Sequence, residues 1–361
     1  DKSMVTNAAA AQVVSQIGSA NANLNQQLNG EANKSVDCPE CRKKSLRPVE
    51  SCEGKKNNYL QSILTQDSFS QAIIQYTGNP IIKEACFQSS LQNSHTKYYS
   101  CDGGQMRYAP RACITNEYVK LAANSFNGAA DCLKDYLNDS STEQDKRKSI
   151  ETVFYLFAHE SGHHLNAISS TGAKGVGQLT EGAIKSSLKT ELSEIKDLLR
   201  KSSNSFCQTT ALAAVEDSFK DSYKCEYTSI KNKNPMKNII TSLAYQKIVR
   251  DSLTRSFFNK AYGQMLTSTL KEDDKNYLLD QMTMWGHNTG EGSILYAAKN
   301  TPFYSKENNS STLKTRKDVE DFLESMKYRI SSKSNGEHRK FREHVMKKSK
   351  EIKNEANACL Q

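Results

Sequence analysis

Apolar residues recur at three- and four-residue intervals along most of the chain, the period of a helix with one buried face. Ile150, Val153, Phe154 and Phe157 stand at i, i+3, i+4 and i+7 and predict a helix ending near Glu160. Ile184, Leu188, Leu192, Ile195 and Leu199 predict another over 181–202. Ile239, Ile240, Leu243, Ile248, Leu253, Phe257 and Phe258 extend the pattern through 236–270. A further helix over 277–284 runs into the single tryptophan, Trp285, and a turn of small residues at 286–292. Upstream, Leu60, Ile63, Leu64, Phe69, Ile73 and Ile74 suggest one helix pair. Residues 113–136 suggest another, with Val119, Leu121, Ala122 and Leu133 inside. Downstream, Val319, Phe322, Leu323 and Met326 mark one more helix. No strand signal is comparably strong, and the tyrosine-rich stretch at 98–110 reads as a disulfide-stapled loop. The expected class is mainly α.

Punctuation between these runs divides the chain. Residues 1–35 are rich in Ala, Asn, Gln and Ser and read as a peripheral arm. Residues 36–138 form a cysteine-rich helical region, 139–305 a core, and 306–361 a helical tail whose lysines and glutamates read as a solvated face. Ser140 and Glu143 have the spacing of a capping box. Gly172, Gly175 and Gly177 supply a tight loop and would let a substrate approach the main chain.

Composition narrows the setting. A hydrophobic content of 37% and a mean hydropathy of −0.69 describe a soluble chain. No apolar run is long enough to span a membrane. The balance of 49 basic and 40 acidic residues leaves a net charge of +9. Mixed along the chain, this charge reads as solubility ahead of attraction to a polyanion such as a cell wall, a membrane surface or nucleic acid. Ten cysteines predict about five disulfides and an oxidising compartment. Cys207 and Cys225 are expected to pair, and Cys359 to tie the tail to the body. Cys38 and Cys41 have the spacing of a zinc or redox motif, but no second such pair follows. A first residue of Asp1 fits a mature periplasmic or secreted protein.

The chemistry concentrates at 159–180. A glutamic acid, Glu160, stands where a buried helix meets a glycine-rich loop, and desolvation there would keep its carboxyl protonated. Glu160-Ser161, Asn166-Ala167, Ser169, Gly172-Ala173, Gly175 and Gln178-Leu179 resemble the signature of soluble lytic transglycosylases and goose-type lysozymes, E-S-x-x-N-P-x-A-x-S-x-x-G-A-x-G-L-M-Q-L-M-P. Asn238-Ile239 to Tyr245 resembles the family's N-I-x-x-G-x-x-Y, with Ser242 in the glycine's place. Gly286-His287-Asn288-Thr289-Gly290 resembles A-Y-N-A-G. The three pieces keep their order over roughly 145–300.

The resemblance implies a lysozyme-like helical core acting on the β-1,4 glycan of peptidoglycan, between N-acetylmuramic acid and N-acetylglucosamine or their modified forms. Glu160 would be the catalytic acid and then the base. Either the sugar's own 6-hydroxyl or water would attack, giving a 1,6-anhydro or a reducing end. Ser169, Gln178, Thr180, His287 and Asn288 would line the substrate cleft. His287 takes the place of a tyrosine facing the acid, and Thr180 that of a cleft methionine. His164-Leu165, Val176-Gly177 and Gly286-His287 depart from the family's pairs, which motivates a modified glycan, such as a de-N-acetylated one, as substrate. No cofactor or metal, no nucleic acid and a monomer are expected.

Two other readings stand beside this one. His159-Glu160-Ser161-Gly162-His163 spells H-E-x-x-H, the helix motif of zinc peptidases, with Glu181 or His287 as a third ligand. A non-catalytic wall-binding protein would keep the fold without the chemistry.

Overall fold

The computed structural model describes residues 68–92, 97–99, 106–108, 114–139, 142–165, 167, 169, 173, 175–216, 235–305, 307, 309–330 and 336–361. The expected N-terminal arm and Cys38, Cys41, Cys52, Cys101, Cys113 and Cys225 lie outside them.

The described residues are mainly helical. The chain order is α1 Ser68–Ile74, α2 Glu84–Gln92, a hairpin of β1 Lys97–Tyr99 and β2 Met106–Tyr108, α3 Asn116–Leu137, α4 Glu143–Glu160, α5 Glu181–Lys201 and α6 Leu212–Glu216. It continues with α7 Pro235–Leu253, α8 Ala261–Thr267, α9 Glu272–Thr289, α10 Glu291–Asn300, α11 Arg316–Lys327 and α12 Glu337–Ala356. The tyrosine-rich stretch expected as a loop therefore carries a short antiparallel hairpin, with Tyr98 opposite Arg107.

Helix α7 is the hub, packed by α3, α5 and α9. Every residue from 236 to 244 is buried, so the first half of α7 has no solvent face and shows no sharp amphipathic stripe. The run expected as one helix over 236–270 is broken. A π-helical turn at Thr254–Phe258 follows α7, and α8 begins at Ala261. The corner holds because Gly263 lies against the Phe257 carbonyl, where a Cβ would sit 2.2 Å from the oxygen.

Helix α4 is capped by Thr142, whose hydroxyl accepts from the Asp145 N–H at 3.2 Å, rather than at the expected Ser140. Its apolar stripe is buried as the spacing predicts, with Ile150, Phe154 and Phe157 at 0% exposure. A buried triad ties α4 to its neighbours. Arg250 of α7 pairs with Asp280 of α9, and Asp280 accepts from the Ser149 hydroxyl of α4 at 2.8 Å. Helix α9 runs to Thr289, so Gly286, His287 and Asn288 are its last turn and not the expected open turn. The break falls at Gly290, with φ of 82°.

The C-terminal segment is part of the core. Phe341, Val345 and Ile352 of α12 are buried, and the helix packs on α2, α4 and α9. Arg342 donates to Gln281 at 2.9 Å and to Glu320 at 2.6 Å. Its lysine-rich sequence hid a narrow apolar seam. Interfaces thus cross the boundaries expected at 138 and 305, and 47–361 cluster as one unit.

Cys86 pairs with Cys359, tying the tail to α2 as expected. Cys207 pairs with Cys132 and not with the sequence-near Cys225. Proximity along the chain gave the wrong partner because α3 passes beside the 207–211 turn. Among the described residues no helix is long and apolar enough to cross a membrane.

Candidate active site

The site forms where α4 ends. Gly162 and His163 have φ of 61° and 63°, and two consecutive left-handed residues stop the helix. The Ser161 hydroxyl accepts from the His163 N–H at 3.1 Å. The Tyr118 hydroxyl accepts from the Leu165 N–H at 3.0 Å. His163 is held in its strained backbone by an aromatic box. It stacks on Phe154 at 4.4 Å, meets Phe87 and Phe126 edge-on, and bonds Ser90 through Nδ1 at 2.9 Å.

This arrangement separates the H-E-x-x-H residues. His163 lies inside the box beyond the helix end, while His159 packs on Phe341 at 5.2 Å and beside His344 at 5.9 Å. Among the described residues no three His, Cys, Asp or Glu side chains are grouped to hold a metal. Burial lowers the His159 and His163 pKa values, to about 4 for His159.

Glu160 turns the other way. Its side chain keeps 16% exposure, a narrow window to solvent. Burial, with Glu337 adding repulsion, raises its pKa to about 8. It is therefore a protonated acid at neutral pH.

Facing it at 4.0 Å is His287 Nε2. That nitrogen lies 2.7 Å from the Gly177 carbonyl oxygen, and Nδ1 lies 2.6 Å from Gln246 Nε2. A carbonyl only accepts, so Nε2 carries the proton and Nδ1 accepts from the Gln246 amide. Burial lowers the His287 pKa to about 4, which leaves a neutral ring beside a neutral acid. Tyr245 meets the same ring edge-on at 5.6 Å.

The glycine loop serves packing more than substrate access. A Cβ on Gly175 would sit 2.0 Å from the Asn238 amide, and one on Gly177 would sit 2.3 Å from Ser242 Oγ. It is α7 that approaches the main chain here, and Asn238 Oδ1 accepts from the Val176 N–H at 2.7 Å. At these two positions the missing Cβ makes room for α7.

The other expected cleft residues have local work to do. Ser169 Oγ accepts from the Ala173 N–H at 2.9 Å and closes the loop. Gln178, with φ of 48°, donates from Nε2 to the Gly175 carbonyl at 2.7 Å. Thr180 is exposed and caps α5. Asn288 Oδ1 accepts from His338 Nδ1 at 2.7 Å, which ties the end of α9 to the start of α12. Trp285 Nε1 adds a second tie, donating to the His338 carbonyl at 2.7 Å.

Three segments far apart in sequence thus meet at one place: 160–180, 238–246 and 286–288. Gln246 was missed from sequence, although Asn238, Ser242, Tyr245 and Gln246 stand at i, i+4, i+7 and i+8 and form one polar stripe along α7. Glu337 and His338 had no signal within the charged tail.

The chain matches no protein-family model, no curated protein and no solved structure.

Proposed function

We propose that the protein cleaves the β-1,4 glycan of peptidoglycan, with Glu160 delivering the proton to the leaving oxygen and a lysozyme-like helical core holding the strand. The observation that carries this reading is the state of Glu160. It is a carboxylic acid kept protonated at neutral pH, with a window to solvent, facing a neutral histidine. Glycoside cleavage needs such an acid, because its pKa lies close to the working pH. The meeting of the three segments that resemble the transglycosylase and goose-type lysozyme pattern supports the same reading.

The neutral His287 preserves the acid. A cation 4.0 Å away would favour the carboxylate and abolish proton delivery. Gly177, standing where the family has methionine, offers its carbonyl to that ring. Ring and loop are joined by a hydrogen bond beside the acid, and His287 and Gly177 both differ from the family's residues. A de-N-acetylated glycan as preferred substrate follows from that concerted change. The two disulfides and the absence of a membrane-crossing helix among the described residues fit action in the periplasm or outside the cell.

The test is mass spectrometry of sacculi digested by wild type and Glu160→Gln, with and without a chelator. Glycan fragments lost in the variant and unaffected by chelator are expected. An intact glycan with chelator-sensitive peptide release would overturn the reading. Matched acetylated and de-N-acetylated sacculi test the substrate, and a preference for the acetylated polymer would remove that part.

A further inference from the structure

A cavity of about 720 Å³ opens at the far end of α7, within the roughly 300–1,000 Å³ that small-molecule sites take. Its wall is the π-helical turn Thr254–Phe258, where the Asn259 N–H reaches back to the Thr254 carbonyl at 2.9 Å. Such wide turns recur at functional sites. Leu279 of α9 also lines the cavity, eight residues before His287 and roughly 12 Å from it along the helix. Neither Glu160 nor His287 lines it.

Arg250 lines the cavity with a side chain only 6% exposed. Among the described residues its guanidinium makes a single hydrogen bond, from Nη1 to Asp280. A guanidinium has five N–H donors in a planar fork, so the others are left for the cavity. Their charge is already balanced by Asp280. The other lining cations are paired as well: Lys247 holds both oxygens of Asp251 at 2.6 and 2.8 Å, and Lys275 lies 3.7 Å from Glu272. Buried donors without spare charge suit a neutral acceptor, a hydroxyl or carbonyl oxygen. Asn259 and Gln264 stand exposed at the mouth, and among the described residues their side-chain amides make no hydrogen bond. Phe258, half-buried, adds an aromatic ring. Spare amides and donors beside a ring match a sugar, which is polar around its edge and apolar on its C–H face.

We propose that this cavity is a second binding site, for a neutral sugar unit, with Arg250 donating to a sugar oxygen and Phe258 lying against the ring. The ligand class comes from the cavity's own lining and does not rest on cleavage at Glu160.

The experiment follows the Asn259 side-chain amide by nuclear magnetic resonance in the whole chain, its signal assigned by loss in Asn259→Ala. The N-acetylglucosamine disaccharide is titrated into wild type, Arg250→Lys and Phe258→Leu, and inorganic phosphate into wild type. Arg250→Lys keeps a cation for Asp280 but removes the spare donors. Phe258→Leu keeps an apolar side chain without the ring, and it carries the test should Arg250→Lys fail to fold. The disaccharide is expected to move the Asn259 signal in wild type, with affinity about tenfold weaker in each folded variant. Phosphate should leave the signal in place. A signal that the disaccharide does not move, or equal affinity in either folded variant, would overturn the proposal. A signal moved by phosphate would make the cavity an anion site and overturn it too. Each of these results leaves the glycan-cleaving reading standing, which an active Glu160→Gln enzyme would defeat.

Discussion

His287 lies 4.0 Å from Glu160 yet spends its one N–H on the carbonyl of Gly177. The ring is thereby fixed as a neutral neighbour rather than an ionic partner. With its pKa lowered to about 4, it stays neutral across the range in which Glu160 is an acid. Activity is expected to hold from about pH 5 and to fall through pH 8, as Glu160 loses its proton. A pH–rate profile on sacculi checks this, and a fall already complete by pH 6 would contradict it.

The same carboxyl burdens the fold. Its folded pKa, about 8, exceeds the unfolded value near 4.5, so between these pH values the folded chain binds the extra proton. Stability therefore decreases as pH rises through that window, by up to ~1.4 kcal/mol per pH unit. Glu160→Gln removes this term. The variant is expected to match wild type near pH 4 and to exceed it by a few kcal/mol near pH 8. Urea unfolding at both pH values measures the gap.

His287→Phe keeps an aromatic ring but leaves the Gly177 carbonyl and the Gln246 amide without their partner. A buried polar group so orphaned costs about 1–3 kcal/mol. The loop carrying Gly177 would lose its tie to α9. Thermal unfolding should report the loss, and glycan cleavage should fall about tenfold or more as the acid's surroundings loosen.

Gly177→Ala should destabilise by about 1–3 kcal/mol through overpacking, since its Cβ would press on Ser242 Oγ at 2.3 Å. Adding Ser242→Gly removes that hydroxyl and should return much of the loss. Additive destabilisation in the double variant would show that the two residues do not share this space.

Arg250→Ala would strand Asp280 in the core. Removing one partner of a buried pair costs about 3–5 kcal/mol, and here it would also loosen the junction of α4, α7 and α9. Denaturant titration checks the size, and a change below ~1 kcal/mol would place Asp280 outside the buried network.

Helices with a one-sided apolar stripe were legible in the sequence. The end of α4 at Glu160, the helix starting at Glu181 and that at Arg316–Lys327 lie where the spacing puts them. What escaped is long-range. Cys207 found Cys132 rather than Cys225 because tertiary packing, not loop length, chose the partner. Helix α12 hid its seam of Phe341, Val345 and Ile352 among lysines. At the site, Glu160 and His287 were both visible and are brought together. Gln246 and Glu337 were not, as their roles come only from elements packed against the acid. Ser169, Gln178 and Thr180 were singled out as cleft residues, and each makes a hydrogen bond within the loop or at the start of α5.

The docking of α12 on α4 bears on timing. His159, next to the acid, packs on Phe341, and Glu337 adds its charge from the same helix. A chain still emerging from its ribosome or export channel has made Glu160 long before α12. Its carboxyl then sits in water as an ordinary glutamate, ionised and unable to give a proton. A helix made long after Glu160 would complete the acid, so the proposed cleavage would stay silent until α12 has docked.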